Sequence, residues 1–205
     1  MAEPTYVPAG GEVLGEAVRR LVDAVVRTQV DPATVLAAAE AVDAVTDSLA
    51  GELRSGPFTP DVRNVFANPL SVVGGSVNPL APPVALDVSP ERVTGTFALG
   101  SAYEGPPGLV HGGVLSLVMD HVLGQAALAA GHGGMTLSLE LRYVAPTPLG
   151  TELVAEGHVA SVDGRKIRMA GSIRAGGTTT VEASGLFLAL DRETAAALFP
   201  HLTAG

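Results

Sequence analysis

Hydrophobic positions along the chain change their period from segment to segment. Val13, Val18, Leu21, Val22 and Val25 recur at helical spacing, and Asp31-Pro32 then supplies an N-cap and a first-turn proline for a second helix reaching Leu53. The pattern predicts a helical hairpin over Gly11 to Arg54. Ser55 to Pro83 holds six prolines and three glycines and reads as an irregular connector, with one short strand expected at Leu70 to Val73. From Val84 the period shortens to that of strands: Val84 to Val88, Val93 to Leu99, Thr136 to Val144, Glu152 to Ser161, Lys166 to Arg174 and Thr179 to Leu190. Turns at Ser89-Pro90, Asp163-Gly164 and Gly176-Gly177 make neighbouring strands antiparallel, the last four being expected as a meander. Asp191 to Leu202 suggests a short terminal helix.

Between the second and third strands lies Gly113 to Ala130, with apolar residues round nearly its full circumference, so a buried helix is expected. A sheet wrapped round that helix is an α+β arrangement. Its polar side chains are Ser116, Asp120, His121 and Gln125, and no Lys or Arg occurs between Arg92 and Arg142 to neutralise Asp120. An acid left in an apolar site costs on the order of a few kcal/mol unless it is hydrogen-bonded, which makes Asp120 a candidate general base or nucleophile. Gly112 and Gly113 lack a Cβ and open the helix, where N–H groups have no intrahelical partner and favour negative charge. Those amides could hold the oxygen of a tetrahedral intermediate. The competing reading, a glycine-shaped loop beside a solvated acid, has no use for an acid on an all-apolar helix.

The ordered run YEGPPGLVHGG, Asp120 nine residues after His111, GGMTLSLELRYVAPTPLG, VDGRKI and SGLFLAL resembles the hotdog-fold acyl-CoA thioesterases of the phenylacetate-degradation type, and most of all the mitochondrial group that shares the EGPPG turn. The likeness covers roughly Asn78 to Leu190. It implies a hotdog fold over residues 78–190, preceded by the helical hairpin and connector of 1–77 and followed by a tail at 191–205. It implies that Asp120 is the general base or nucleophile, that the Gly112 amide polarises the thioester carbonyl, and that His111 belongs to the same site. Thr136 and Ser138 occupy the places where the family sets a hydroxyl beside the acid, which the resemblance assigns to the facing subunit. Bacterial members commonly carry an amide side chain six residues before the histidine, where this chain has Gly105. The resemblance also implies a homodimer joined at sheet edges, with a tetramer as a further step, and needs no cofactor.

Composition narrows the picture further. The 205 residues, 47% of them hydrophobic, suffice for one good core. Cysteine is absent, which excludes disulfides, a thiolate nucleophile and cysteine metal sites. His121, His132, His158 and His201 have no metal-ligand spacing, so no metal is expected. A net charge of −9 argues against nucleic acid and anionic membranes as partners. No segment approaches ~20 uninterrupted apolar residues and the N-terminus has no signal pattern, so a cytoplasmic protein is expected. Against the acidic background, Arg142, Arg165, Lys166, Arg168 and Arg174 cluster in sequence. Strand-edge charges that prevent aggregation explain such a cluster as readily as a phosphate site; the resemblance assigns Arg165 and Lys166, with Arg142, to coenzyme A. Ser116, His111 and Asp120 contain the residue types of a hydrolase triad, but Ser116 falls inside a helix rather than on a strained elbow. A non-hydrolytic acyl-CoA-binding protein and a hotdog dehydratase are the alternatives to hydrolysis.

Overall fold

The computed structural model describes residues 6–56, 68–82 and 84–198. Part of the expected connector, 57–67, and the end of the expected terminal helix, 199–202, lie outside them. The described elements are helices α1 (Gly11–Arg27) and α2 (Pro32–Leu49), strands β1 (Ala85–Val88) and β2 (Val93–Ala98), a 3-10 turn at Ser101–Tyr103, helix α3 (Gly112–Ala129), strands β3 (Gly134–Tyr143), β4 (Glu152–Asp163), β5 (Lys166–Ala175) and β6 (Thr178–Ala189), and helix α4 (Arg192–Leu198).

The six strands form one sheet in the order β1-β2-β4-β5-β6-β3, antiparallel throughout. The expected meander is thus broken at its first link: β3 pairs with β6, and β4 pairs with β2. The cause is the linker Val144 to Thr151, in which Pro146 and Pro148 cannot donate to a ladder. It is held instead by the loop before α3, through Val110 N–H to Thr147 C=O (2.9 Å), Leu149 N–H to Gly108 C=O (3.1 Å) and Gly150 N–H to Leu99 C=O (2.8 Å).

Helix α3 lies in the concave face of the sheet. Leu115, Val118, Met119, Val122, Leu123, Ala126 and Ala127 are buried against Val93, Phe97, Leu153, Ala155, Ile167, Met169, Ile173 and Phe187. Gly157 and Gly171 let the helix approach: a Cβ on Gly157 would sit 2.9 Å from Leu123 and one on Gly171 2.7 Å from Met119. The helix is apolar and long enough to cross a bilayer, but its burial inside the sheet explains that composition.

Two local expectations change. No strand forms at Leu70 to Val73, because turn chemistry wins there: Asn68 Oδ1 accepts from Leu70 N–H, and Ser71 Oγ accepts from Val73 and Gly74 N–H. The N-terminal helices form where predicted, and Asp31 caps α2 through Ala33 and Thr34 N–H, yet they do not pack along one another. Helix α1 rests on residues 76–78, where Arg19 donates to Ser76 and Asn78 carbonyls and Gly15 is closed in by the Ser76 and Val77 carbonyls. Every residue of α2 is exposed.

Candidate active site

The loop into α3 is fixed by its own backbone. Gly108 has φ 76°, a left-handed conformation that favours glycine, and its N–H donates to Glu104 Oε1 at 2.6 Å. Gly105 N–H bonds Leu109 C=O and His111 N–H bonds Tyr103 C=O, both at 2.9 Å. These bonds draw Gly105 onto His111, and a Cβ there would lie 2.8 Å from His111 Cα. The position where the resemblance leads one to expect an amide side chain therefore has no room for any side chain in this chain.

His111 is the N-cap of α3, and its Nδ1 accepts the Gly113 N–H at 3.0 Å. In this geometry the neutral ring carries its proton on Nε2. The Gly113 amide is thereby used within the chain, contrary to the expectation that both glycine amides are open. The Gly112 N–H makes no hydrogen bond among the described residues. Its carbonyl, in contrast, accepts from Tyr143 Oη (2.9 Å) and Ser116 Oγ (3.1 Å), and those hydroxyls are 3.0 Å apart. The Gly112–Gly113 peptide is thus gripped at both ends, by Tyr143 and by His111. Tyr143 was missed in the sequence because its role depends on β3 lying beside α3; its place at the end of an apolar-alternating strand carries no local signal.

Asp120 sits further along the helix. It is half-buried rather than deeply buried, and it has a partner: Thr136 Oγ1 donates to its Oδ1 at 2.9 Å. The partner belongs to the same chain, not to the facing subunit. A β-bulge makes this contact. Thr136 pairs with Phe187 and Ser138 with Leu186, leaving Leu137 unpaired. Leu139 and Leu141 pack toward the core, and strict alternation would aim even-numbered Thr136 away from it; the extra residue reverses the aim. Ser138 lies on the outer face, so the structure does not bring it to Asp120. Beside Asp120, burial lowers the His121 imidazole below its ordinary value, and the Asp120 charge offsets this in part.

Gly112 and Asp120 are eight residues apart on one helix, which at 1.5 Å per residue is about 12 Å along the axis. One chain therefore cannot set its own Gly112 amide and its own Asp120 on a single small reacting group.

The basic residues are distributed differently from the sequence expectation. Arg165 donates from Nε to Ala189 C=O at 3.0 Å and pairs with Asp191 at 2.8 Å, which ties the β4–β5 turn to the end of β6. Arg142 pairs with cross-strand Glu182 at 2.9 Å, and Arg174 with Glu156 at 3.1 Å. Lys166 and Arg168 alternate with buried Ile167 and Met169, so they share the outer face of the sheet, and neither has an ion pair among the described residues.

An antiparallel sheet closed round one apolar helix, with a capped glycine pair at the helix start and an acid two turns on, is the hotdog architecture. The thioesterase superfamily model matches residues 107–182. A solved thioesterase superfamily protein is 38% identical, covering 92% of this chain and 94% of its own, with a TM-score of 0.81. The chain belongs to the thioesterase superfamily. It is 34% identical to acyl-coenzyme A thioesterase THEM4 of Xenopus laevis over 48% of this chain and 46% of that protein. It is 36% identical to THEM5 of Homo sapiens over 47% of this chain and 40% of that one. The chain thus spans less than half the length of the curated relatives it matches. A thioesterase protein of Streptococcus pneumoniae solved with coenzyme A has the same fold, with a TM-score of 0.50 at 19% identity over 52% of this chain and 85% of that one.

Proposed function

We propose that this chain hydrolyses an acyl-CoA thioester to free acid and coenzyme A, at sites shared between two copies. The observation that carries the reading is the division of labour along α3: an uncommitted Gly112 N–H at the helix start, and an oriented carboxylate about 12 Å away that cannot serve the same carbonyl. Each site then combines the His111-Gly112 turn of one copy with Asp120 and Thr136 of the other. This partition differs from the one the resemblance implied, because Thr136 travels with Asp120. The long outer edge of β3, exposed along most of its length and carrying exposed Met135 and Leu137, is the edge we assign to the homodimer contact.

The thioester oxygen accepts the Gly112 N–H, which strengthens as negative charge develops there. The Asp120 oxygen not bound by Thr136 removes a proton from water, whose oxygen adds to the carbonyl carbon; direct attack by the carboxylate is the other route, expelling the thiolate to leave an anhydride of Asp120 that water then hydrolyses to the free acid. Collapse breaks the C–S bond, and the thiolate takes up the proton. Lys166 and Arg168, neighbours on the outer sheet face with no ion pair among the described residues, are our candidates for the coenzyme phosphates, with Arg165 shaping the turn that presents them.

A panel of acyl- and aryl-CoA substrates read by thiol release tests this directly. Turnover that vanishes in Asp120→Asn supports the reading. Tight acyl-CoA binding with no thiol release from any substrate would establish the non-hydrolytic alternative.

A further inference from the structure

Beyond the pair that opens it, α3 has one residue without a side chain, Gly124. Backbone shape does not call for it, since Gly124 is not in the left-handed region. Packing does not call for it either. Beyond the helix backbone, a Cβ on Gly124 would meet only the Phe187 ring among the described residues, at 3.7 Å, an ordinary contact. Gly157 and Gly171, in contrast, stand where helix and sheet would otherwise collide. Glycine inside a helix is less stable than alanine in the same place, so the fold of one chain gains nothing from this bare position.

Its relation to Asp120 gives the position a use. Residues four apart lie one above the other on a helix face, so Asp120 is flanked by Ser116 on one side and Gly124 on the other. The Ser116 side is polar and committed: its hydroxyl donates to the Gly112 carbonyl at 3.1 Å and lies 3.0 Å from Tyr143 Oη. The Gly124 side is apolar. Phe187 presents a ring carbon to it, and the next residue along the face is Leu128, half-buried and outside the core. Leu128 Cδ1 lies 3.1 Å from where a Cβ on Gly133 would be, which closes the run at the turn into β3. A single apolar path thus leaves the acid, over Gly124 toward Leu128.

We infer that the acyl chain of the thioester lies on this path, and that Gly124 of the copy supplying Asp120 is the residue that admits it. This rests on the proposed site of hydrolysis and adds its substrate class, apolar acyl chains long enough to cross Gly124. Four residues of helix advance about 6 Å, roughly five C–C bonds of ~1.5 Å laid in a zigzag, so a chain reaches Gly124 near its sixth carbon. Acetyl groups end before it and octanoyl groups pass over it.

Thiol release from acetyl-CoA and octanoyl-CoA by the full chain tests the path. In the wild type, kcat/KM for octanoyl-CoA should exceed that for acetyl-CoA roughly tenfold or more, because the longer chain buries more apolar surface. Gly124→Leu fills the path and should cut the octanoyl-to-acetyl ratio by roughly tenfold or more. Gly124→Ala should move the ratio in the same direction while raising the melting temperature by ~2–3 °C. A glycine kept for folding would not give that combination, and the alanine variant carries the test if the leucine variant does not fold. The thioethers S-ethyl-CoA and S-octyl-CoA, which do not hydrolyse, read the same preference as a ratio of Kd. A wild type that releases no thiol, yet prefers S-octyl-CoA in a way lost in Gly124→Leu, would overturn hydrolysis and keep the path. Ratios left unchanged by leucine, or a wild type that favours the two-carbon ligands, would overturn the path. So would a leucine variant that drops to the mass of one chain when the wild type is larger, since the glycine would then serve the contact between copies.

Discussion

Thr136 Oγ1 donates to one oxygen of Asp120 at 2.9 Å within a single chain, and it does so only because the bulge at Leu137 turns it toward the helix. The bond fixes the carboxylate plane and leaves the second oxygen for a water or a thioester. Thr136→Val, which keeps the shape but removes the hydroxyl, should lower kcat roughly tenfold, a fraction of the hundredfold or greater loss expected for Asp120→Asn. Thr136→Ser should restore most of the rate. Steady-state kinetics on one acyl-CoA decides; a valine variant with wild-type kcat would leave the hydroxyl without a role in turnover.

At the other end of α3 the hydroxyl of Tyr143 holds the Gly112 carbonyl. Tyr143→Phe frees one face of the peptide that follows the proposed oxyanion donor. Because that donor counts most in the transition state, kcat should drop about tenfold while KM changes little. An equal rise in KM with unchanged kcat would mean that the tyrosine serves substrate binding instead.

Much of this was legible in the sequence. Helix periodicity located α1 and α3 to within a few residues, the Asp31-Pro32 cap located the start of α2, and alternation located the strands, because each of these signals is local to one element. The EGPPG…HGG run with Asp120 located the acid and the capped turn. What could not be read depends on which elements meet. The β3–β6 pairing follows from a linker that cannot make a hairpin, and Thr136 reaches Asp120 through a bulge that leaves no local mark. The pairing of Arg165 with Asp191 depends on the end of β6 lying beside the β4–β5 turn, which no local pattern carries. Helical spacing alone did hold one further lesson, that Gly112 and Asp120 lie too far apart to share a site within one chain.

Lys166 and Arg168 remain as uncommitted cations on the outer sheet face. Replacing both by alanine should raise KM for acyl-CoA roughly tenfold at low ionic strength with kcat nearly kept, since contacts remote from the thioester bind ground and transition states alike. The difference should shrink in salt. Arg165→Ala should act through stability, lowering the melting temperature more than it alters KM. Wild-type KM in the double variant at low salt would place the coenzyme elsewhere.

His121 gives stability a pH dependence of known sign. Burial depresses its folded-state pKa below the unfolded value near 6.5, so the unfolded chain binds the proton more readily. The contribution is complete above about pH 6.5 and is lost as pH falls from there toward the folded pKa. Between about pH 7.5 and 5.5 the wild type should therefore lose more of its melting temperature than His121→Gln, whose side chain does not titrate. Parallel pH dependences in calorimetry would show that the imidazole is not the group responsible.

The shared site can be tested by a pair of lesions on opposite halves. Gly112 is the first residue of α3, a position where proline is accommodated and where the preceding residue, His111, already has an extended ψ of 130°. Gly112→Pro thus removes the proposed oxyanion donor while the helix can still start, with the Tyr143 side chain shifting to admit the ring. Neither Gly112→Pro nor Asp120→Asn homodimers should turn over substrate. In a heterodimer of the two, one site receives both lesions and the other receives the intact Gly112 of the asparagine chain and the intact Asp120 of the proline chain. That site should work, returning about half of the wild-type activity per dimer if the two sites act independently. If purified heterodimers, confirmed by differential tagging, stay as inactive as their parents, then Gly112 and Asp120 do not meet across the two copies and the proposed partition of the site is wrong.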